Sequence, residues 1–282
     1  MKGFVYFMKE RRWLNILLLS IYFIAVVLPH KRFGTFLNET VVGGLGINNN
    51  TPEGRQEYNF YALSIVLILL IILLYFIIRN TRKLADRKLI WGFMILNIIL
   101  AGLIIKFLFV VNIECVHFFQ YAAFAILLYP LVGNYQSTLV WTTIAGMIDE
   151  AYQYFYLAPM DTSHYDFNDV VTNLVGAVFG LLLLRSVDIQ EHNRFNLKRA
   201  TFWIGLATII LVVIGLHVSD IMSIYPSEEH NYHILREMPN GFWSKISPNV
   251  TYHIVRPIEG VIMTVGLWLL YSKLSPRVKL NG

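Results

Sequence analysis

Long apolar runs alternate with short polar or charged patches along the whole chain. A hydrocarbon core about 30 Å thick needs about 20 apolar residues in one helix to cross it, and most of the runs approach this length. The pattern therefore predicts an all-α, polytopic membrane helix bundle with about eight spans. The expected spans are Trp13–Leu28, Tyr58–Ile78, Leu89–Val111, Glu114–Leu131, Ser137–Phe155, Asp169–Leu184, Thr201–Val218 and Ile254–Tyr271.

The first run follows a basic patch, as the apolar region of a signal peptide does. It is long for such a region, and no small-residue cleavage pattern follows it, so we expect a retained first span. The order of runs divides the chain into three parts. Residues 1–88 hold two spans with an outer loop, 89–188 a core of four spans, and 189–282 two spans with a long outer loop.

Positive charge predicts the orientation of the spans. With a cytoplasmic N-terminus, the inner segments include Arg79–Lys88, Arg185–Arg199 and the basic C-terminal tail. Cytoplasmic segments near span ends carry an excess of Lys and Arg, so both termini are expected inside. Lys31 and Arg32 are the exception, because they directly follow the first span on its outer side.

The composition agrees with this class of protein. Hydrophobic residues make up 56% of the chain and charged residues only 15%, against about 25% charged residues in soluble domains. The net charge of +5 is explained by the basic patches beside the spans, so nucleic acid is not an expected partner. The single cysteine, Cys115, cannot form an intrachain disulfide.

Unusual polar residues gather at three predicted outer span ends. Glu114, His117 and Tyr121 follow one another at spacings of three and four, which places them on one helix face at the start of the fourth span. The fifth span ends with Asp149, Glu150 and Gln153. Acids at a helix C-terminus oppose the helix dipole, so this pair indicates a function rather than capping.

The connection after the fifth span and the start of the sixth contribute further polar residues. They are Asp161, His164, Asp166, Asp169, Thr172 and Asn173. Helices joined by short loops pack as antiparallel neighbours, so the three groups should converge. Ionisable residues near a bilayer are costly and usually mark a functional site.

Structural roles are the alternatives for several of these residues. Asp166 and Asp169 fit an N-cap and a first-turn acid. Gly176 and Gly180 form a GxxxG stripe that favours close helix packing, and Asn173 can serve as a polar contact between helices. Glu114 can be a cap, and His117 a satisfied structural histidine.

Two motifs within the predicted core resemble the VanZ-like membrane protein family. The first, E-x-x-H-F-x-x-Y, is formed by Glu114, His117, Phe118 and Tyr121. The second, D-E-x-x-Q-Y…D-x-x-D-V-x-x-N-x-x-G, is formed by Asp149, Glu150, Gln153, Tyr154, Asp166, Asp169, Val170, Asn173 and Gly176. The resemblance covers about 89–184.

The resemblance implies a multi-pass protein of the bacterial cytoplasmic membrane with an extracytoplasmic polar site. The namesake of the family is associated with low-level resistance to the glycopeptide teicoplanin, which implies a role in the cell envelope. Family members often carry an arginine after the proline that follows the D-E-x-x-Q segment of the second motif. Here Pro159 is followed by Met160 and Asp161. Arg256 of the last span is then either a residue that snorkels to the interface or the best available counter-ion for the acidic site.

Three functions are compatible with these residues. In the first, the site acts on an envelope lipid or lipid-linked precursor. His117 would be a general base oriented by Glu150 or Asp149, and Glu114, Tyr121, Gln153, Asp166, Asp169, Asn173 and Arg256 would bind the substrate. An acid pair with a histidine can equally hold a divalent cation. The alternatives are a non-catalytic scaffold or partner-binding protein, and a small-solute transporter.

Overall fold

The structure is a computed structural model, and the residues that it describes fall in several ranges. They are 1–28, 36, 39–40, 43–48, 51–109, 112–157, 164–191, 207, 210–211, 214–219, 221–223, 232–233, 241–247 and 250–275. Helices dominate, as the apolar runs predict. Their bounds are α1 (Lys2–Glu10), α2 (Arg12–Val27), α3 (Pro52–Thr81), α4 (Arg87–Phe107), α5 (Val116–Val132), α6 (Tyr135–Tyr152), α7 (Phe167–Ser186) and α8 (Pro257–Tyr271).

Local sequence signals explain where several helices begin and end. Thr51 Oγ1 accepts a hydrogen bond from Gly54 N at the start of α3, where Pro52 occupies the first turn. Gly133 ends α5 with φ +71°, a left-handed conformation that favours glycine. Asn134 then caps α6 through a hydrogen bond from Ser137 N. The α5–α6 connection is therefore tight enough to make these helices antiparallel neighbours.

Four helices of the described chain are long and apolar enough to cross a membrane. They are Glu53–Thr81, Arg87–Phe107, Ile113–Val132 and Phe167–Ser186. The helix at the first expected span, α2, has 16 residues and is shorter than these four, and α6, at the fifth expected span, has 18 residues but is not among them. The last is also shorter, since Pro257 starts α8 and leaves it 15 residues. The seventh falls largely outside the described residues.

Helix α7 forms the centre of the bundle. In the most apolar 18-residue stretch of α7, 78% of the residues are buried. The corresponding share in α3 is only 11%, so α3 lies at the periphery. A Cβ at Gly176 would lie 2.8 Å from Phe118 Cα, and one at Gly180 would meet the Ala122 backbone. The predicted packing role of this glycine stripe is confirmed, because α5 and α7 approach too closely here for a side chain.

Buried polar side chains connect the helices within the bundle. Asn97 on α4 donates to the Val175 carbonyl 3.2 Å away and accepts from Tyr271 Oη at 2.7 Å. Trp268 Nε1 donates to Thr143 Oγ1 at 3.1 Å. These bonds join α4, α6, α7 and α8, and they satisfy groups that hydrocarbon would leave without partners.

The end of the bundle where α6 begins has its own polar contacts. Arg185 of α7 forms an ion pair with Asp86, which precedes α4. Glu191 accepts hydrogen bonds at one oxygen from Asn134 Nδ2, Tyr135 N and Ser275 Oγ, all within 2.9 Å. The segment after α7 is thereby tied to both the start of α6 and the chain beyond α8.

The predicted long outer loop contains strands that the sequence pattern did not predict. β1 (Met222–Ser223) pairs in parallel with β2 (Tyr232–His233). β3 (Trp243–Ser247) pairs antiparallel with β4 (Val250–His253), with a bulge between Lys245 and Ser247. The fold is thus a helix bundle with two small strand pairs before α8.

Candidate functional site

Three side chains from three helices meet at one end of the bundle. His117 lies on the first turn of α5, Glu150 on the last turn of α6, and Asp169 on the first turn of α7. One ligand atom from each lies within 4.8 Å of the others, and His117 Nε2 is 3.5 Å from Asp169 Oδ2. His117 and Glu150 are buried and Asp169 is half-buried. We call these residues the triad.

Asp149 stands next to the triad with both carboxylate oxygens engaged. Tyr121 Oη donates to Asp149 Oδ2 at 2.9 Å, and Gln153 Nε2 donates to Asp149 Oδ1 at 3.1 Å. Gln153 Nε2 also lies 3.3 Å from Glu150 Oε1. Glu150 or Asp149 was expected to orient His117. In this geometry Asp169 lies against the imidazole, and Asp149 accepts hydrogen bonds from Tyr121 and Gln153.

A change of helix type positions Gln153. The α-helical hydrogen bonding of α6 gives way at Gln153–Leu157 to a π-helical turn. The backbone N–H of Gln153 reaches the carbonyls of both Asp149 and Glu150. Such π turns widen a helix locally and occur often at functional sites.

The start of α7 combines capping with site formation. Asp166 Oδ1 accepts hydrogen bonds from Asn168 N at 2.8 Å and Asp169 N at 3.2 Å, so its N-cap role is confirmed. Asp169 follows in the first turn, where the helix dipole stabilises a carboxylate. Capping therefore fixes the Asp169 backbone while its side chain lies against His117.

Asn173 lies one turn below Asp169 and is fully buried. Its side chain interacts with both His117 and Glu150. A Cβ at Gly146 would lie 3.1 Å from Asn173 Nδ2, so the glycine makes room for this amide. The amide thus belongs to the same group of buried polar side chains as the triad.

Basic side chains do not neutralise the acids within the part of the chain that the structure describes. Arg256, which was expected either to snorkel or to serve as a counter-ion, is exposed at the N-cap of α8, where its backbone N–H donates to Glu259. The basic group that does pair with an acid nearby is His253, whose Nε2 lies 3.0 Å from Glu259 Oε2. Within the described ranges, Asp149, Glu150 and Asp169 form no ion pair with a Lys or Arg, and His117 Nε2 lies 3.5 Å from Asp169 Oδ2.

Glu114 lies outside the triad. It belongs to a 3₁₀ turn, Asn112–Cys115, that precedes α5, so the α-helical spacing to His117 does not apply. Burial first, and then the negative charges of Asp166 and Glu114, raise the pKa of the Tyr252 phenol on β4. The negative charge of Glu114 thus acts on Tyr252 of the strand pair.

The residues directly before α7 border the cluster. Tyr165 Oη donates to the Met147 carbonyl at 2.7 Å. Burial raises the pKa of Tyr165 well above its ordinary value, and the nearby charges of Glu150, Asp166 and Asp149 raise it further. Burial lowers the pKa of the His164 imidazole, with Asp166 acting in the opposite direction. Asp161 lies outside the described residues.

Asn168 is a key residue that the sequence reasoning missed. Its Nδ2 donates to the Leu108 carbonyl at 3.0 Å and to the His253 carbonyl at 2.9 Å, and its Oδ1 accepts from Val255 N at 2.8 Å. One buried amide therefore joins the ends of α4, α7 and β4. The sequence offered one indication of this role, which is the position of an asparagine between Asp166 and Asp169 of the second motif.

Searches of family models, curated proteins and solved structures returned no match to this chain. Arguments about the site therefore rest on its own chemistry. The triad offers one imidazole and two carboxylates, which can transfer protons, orient a polar group or hold a divalent cation.

Proposed function

We propose that this chain is a VanZ-like protein of the bacterial cytoplasmic membrane, with eight spans and both termini inside. In this topology the triad faces the extracytoplasmic side, where it acts on the polar headgroup of an envelope lipid or lipid-linked precursor. The consequence for the cell is altered handling of envelope precursors, including low-level resistance to teicoplanin-type glycopeptides.

The convergence of His117, Glu150 and Asp169 carries this proposal. Burying two carboxylates and an imidazole without a Lys or Arg partner opposes stability, because desolvation of charge is expensive. A merely structural helix contact has no need of such a set. These residues reduce stability and yet meet at one end of the bundle. A role in binding or transforming a ligand best explains their placement.

An apolar cavity supports a lipid as the ligand. It has a volume of about 540 Å³ and is lined by residues of α3, α4, α5 and α7, among them Val66, Ala101, Phe118, Ala122 and Phe179. Pockets for small ligands commonly have about 300–1,000 Å³. Phe118 directly follows His117, so the cavity begins at the depth of the triad and extends along α5 to Ile126. Hydrocarbon, rather than water, suits such a lining.

The test is expression of the full chain in a glycopeptide-susceptible bacterium. Wild-type protein should raise the lowest inhibitory teicoplanin concentration, and Glu150→Gln or His117→Ala should return it to the empty-vector value at equal membrane abundance. Gln153→Glu is not a suitable control because it adds charge to the site. Glu259→Gln is the matched control, since it removes a carboxylate beside a histidine outside the triad.

Two results would contradict the proposal. One is resistance that persists in Glu150→Gln at wild-type level, which would make the triad structural. The other is a wild-type protein that changes neither teicoplanin susceptibility nor the membrane pool of lipid-linked precursors. A cysteine accessibility scan tests the topology separately: a cysteine at position 164 should react with an impermeant thiol reagent from outside, and one at position 86 should not.

A further inference from the structure

We infer that His117, Glu150 and Asp169 are the protein ligands of a divalent first-row transition metal, with Zn²⁺ the best match. The inference rests on the proposed function only in treating the triad as the functional site. It adds a ligand class that the proposed envelope role does not require, and its test measures metal directly.

Spacing within the triad matches a metal site. Zn²⁺ binds imidazole nitrogen and carboxylate oxygen at about 2.0–2.2 Å. Two ligand atoms at such bond lengths in a tetrahedron are separated by about 3.4 Å. His117 Nε2 and Asp169 Oδ2 lie 3.5 Å apart, and the three ligand atoms lie within 4.8 Å of one another. A small inward movement of Glu150 would complete the coordination.

Charge balance favours a cation at this place. Asp149 is fully buried, Glu150 is 2% exposed, and neither forms an ion pair with a described Lys or Arg. The hydrogen-bond donors to Asp149, Gln153 and Tyr121, are neutral side chains. A bound divalent ion would neutralise carboxylates that otherwise repel one another in a medium of low dielectric constant.

Asn173 brings a neutral amide to the same place. Its side chain is fully buried and interacts with both His117 and Glu150. Three protein ligands leave one tetrahedral position on Zn²⁺ for a water or substrate oxygen. The Asn173 amide, beside two of the ligands, can donate a hydrogen bond to that oxygen.

The ligand set narrows the choice of ion. Mg²⁺ and Ca²⁺ prefer oxygen ligands alone, whereas imidazole suits Zn²⁺ and other transition metals. Thiolate takes no part, because Cys115, the only cysteine, is buried in a separate apolar cluster with Ala101 and Val255. One nitrogen and two oxygens therefore point to Zn²⁺, with Mn²⁺ as the nearest competitor.

The experiment measures metal in the purified full-length protein in detergent. Metal-stripped protein is dialysed against equal concentrations of Zn²⁺, Mn²⁺ and Mg²⁺, and bound metal is determined by mass spectrometry. Wild type should retain about one equivalent of Zn²⁺. Glu150→Gln, Asp169→Asn and His117→Ala should each weaken Zn²⁺ binding by at least about tenfold, the lower bound even for losing a residue that only supports a ligand.

Glu259→Gln is the matched control. It removes a carboxylate that lies 3.0 Å from the Nε2 atom of a histidine outside the triad, His253. The Zn²⁺ content of this variant should stay near one equivalent under the same conditions. Metal loss equal to that of Glu150→Gln would show that binding does not depend on the triad and would overturn the assignment of the ligands.

A measurement on wild-type protein keeps the inference testable if the variants do not fold. X-ray absorption of the Zn²⁺-loaded protein should show nitrogen and oxygen near 2.0–2.2 Å, with one imidazole and no sulfur near 2.3 Å. A sulfur ligand, several imidazoles or no bound Zn²⁺ would each overturn the proposal. A teicoplanin phenotype that depends on the triad without bound metal would reject the metal and retain the proposed function. Bound Zn²⁺ without any envelope phenotype would retain the metal site and reject the proposed function.

Discussion

His117 Nε2 lies 3.5 Å from Asp169 Oδ2, although the two residues belong to different helices of the bundle. Both are in the first turn of their helix, so α5 and α7 begin at the same end of the bundle. Glu150 joins them from the last turn of the antiparallel α6. One end of a three-helix unit thus supplies an imidazole and two carboxylates.

The substitution Tyr121→Phe tests how much the hydrogen bond from Tyr121 to Asp149 contributes to stability. Tyr121→Phe leaves the ring in place and removes the donor that lies 2.9 Å from the carboxylate. Hydrogen bonds to charged groups contribute about 1.5–3 kcal/mol, so thermal unfolding in detergent should occur at a clearly lower temperature. The variant should keep its helical circular dichroism below the transition.

Tyr22→Phe is the control for this change. Tyr22 Oη donates to the neutral Gln120 carbonyl at 2.9 Å, and the bond is only partly buried. Its loss should cost about 0.5–1.5 kcal/mol. Equal destabilisation by the two substitutions would contradict a special contribution from the Asp149 contact.

Much of the helical pattern could be predicted, because apolar runs and caps act locally. Asp166 was expected as an N-cap and is one, and Gly176 was expected to serve packing and does. The helix α1 was not predicted, since its nine residues are too few and too mixed for an apolar run to reveal. Eight spans and the orientation of the termini stay predictions.

The partners within the site depend on helix rotation, which the sequence does not encode locally. Asp149 and Glu150 are adjacent, and either could face His117. Close contact of Gly176 with the Phe118 backbone fixes α5 against α7 and brings Asp169 to the imidazole. The 3₁₀ turn at Glu114 likewise depends on tertiary contacts, so helical spacing was a poor guide there.

Gly176→Ala tests the contact that fixes this rotation. The added Cβ would lie 2.8 Å from both Phe118 Cα and its carbonyl oxygen, and 3.0 Å from the His117 carbonyl. These neighbours are backbone atoms and cannot turn aside. We expect a loss of about 1–3 kcal/mol in the free energy of unfolding, as for overpacked cores, together with reduced activity of the triad.

Gly92→Ala provides the comparison, because a Cβ there meets no atom within 4 Å. Gly92 lies within α4, where alanine has the higher helix propensity, so this variant should be as stable as wild type or more so. Thermal unfolding of both variants in one detergent checks the pair. A Gly176→Ala protein as stable as Gly92→Ala would show that α5 can move away from α7 at little cost.

Asn168 is expected to hold the strand pair β3–β4 against the bundle. Asn168→Ala removes both donations, to Leu108 and His253, and the acceptor for Val255 N. The buried backbone groups then lack partners, which costs about 1–3 kcal/mol for each group left unsatisfied. Hydrogen exchange at 250–255 should accelerate more than exchange within α4 or α7.

Asn80→Ala is the matched control for the amide. Asn80 Nδ2 donates at 2.7 Å to the Phe76 carbonyl within α3, so its loss disturbs one local bond. Exchange at 250–255 should then match wild type. Unchanged exchange in Asn168→Ala itself would mean that β4 is held by other contacts.

The partly buried carboxyl group of Glu191 should make the stability of the protein depend on pH. Burial raises its pKa above the ordinary value of 4.5, against the opposing effects of Tyr135 N, Ser275 and Arg185. Between the ordinary and the raised pKa the folded chain holds a proton that the unfolded chain has lost. The free energy of unfolding contributed by this group is therefore highest below pH 4.5, falls as pH rises through that window, and is constant above the raised pKa.

Glu191→Gln should remove this component while keeping the structure. All three hydrogen bonds reach the same oxygen, which glutamine retains as an amide carbonyl. The difference in unfolding temperature between variant and wild type should therefore grow in favour of the variant from pH 4.5 towards neutrality. The exposed Glu57→Gln serves as the control and should follow the wild-type curve. A Glu191→Gln curve parallel to wild type would instead show that the carboxylate is equally solvated in the folded and unfolded chains.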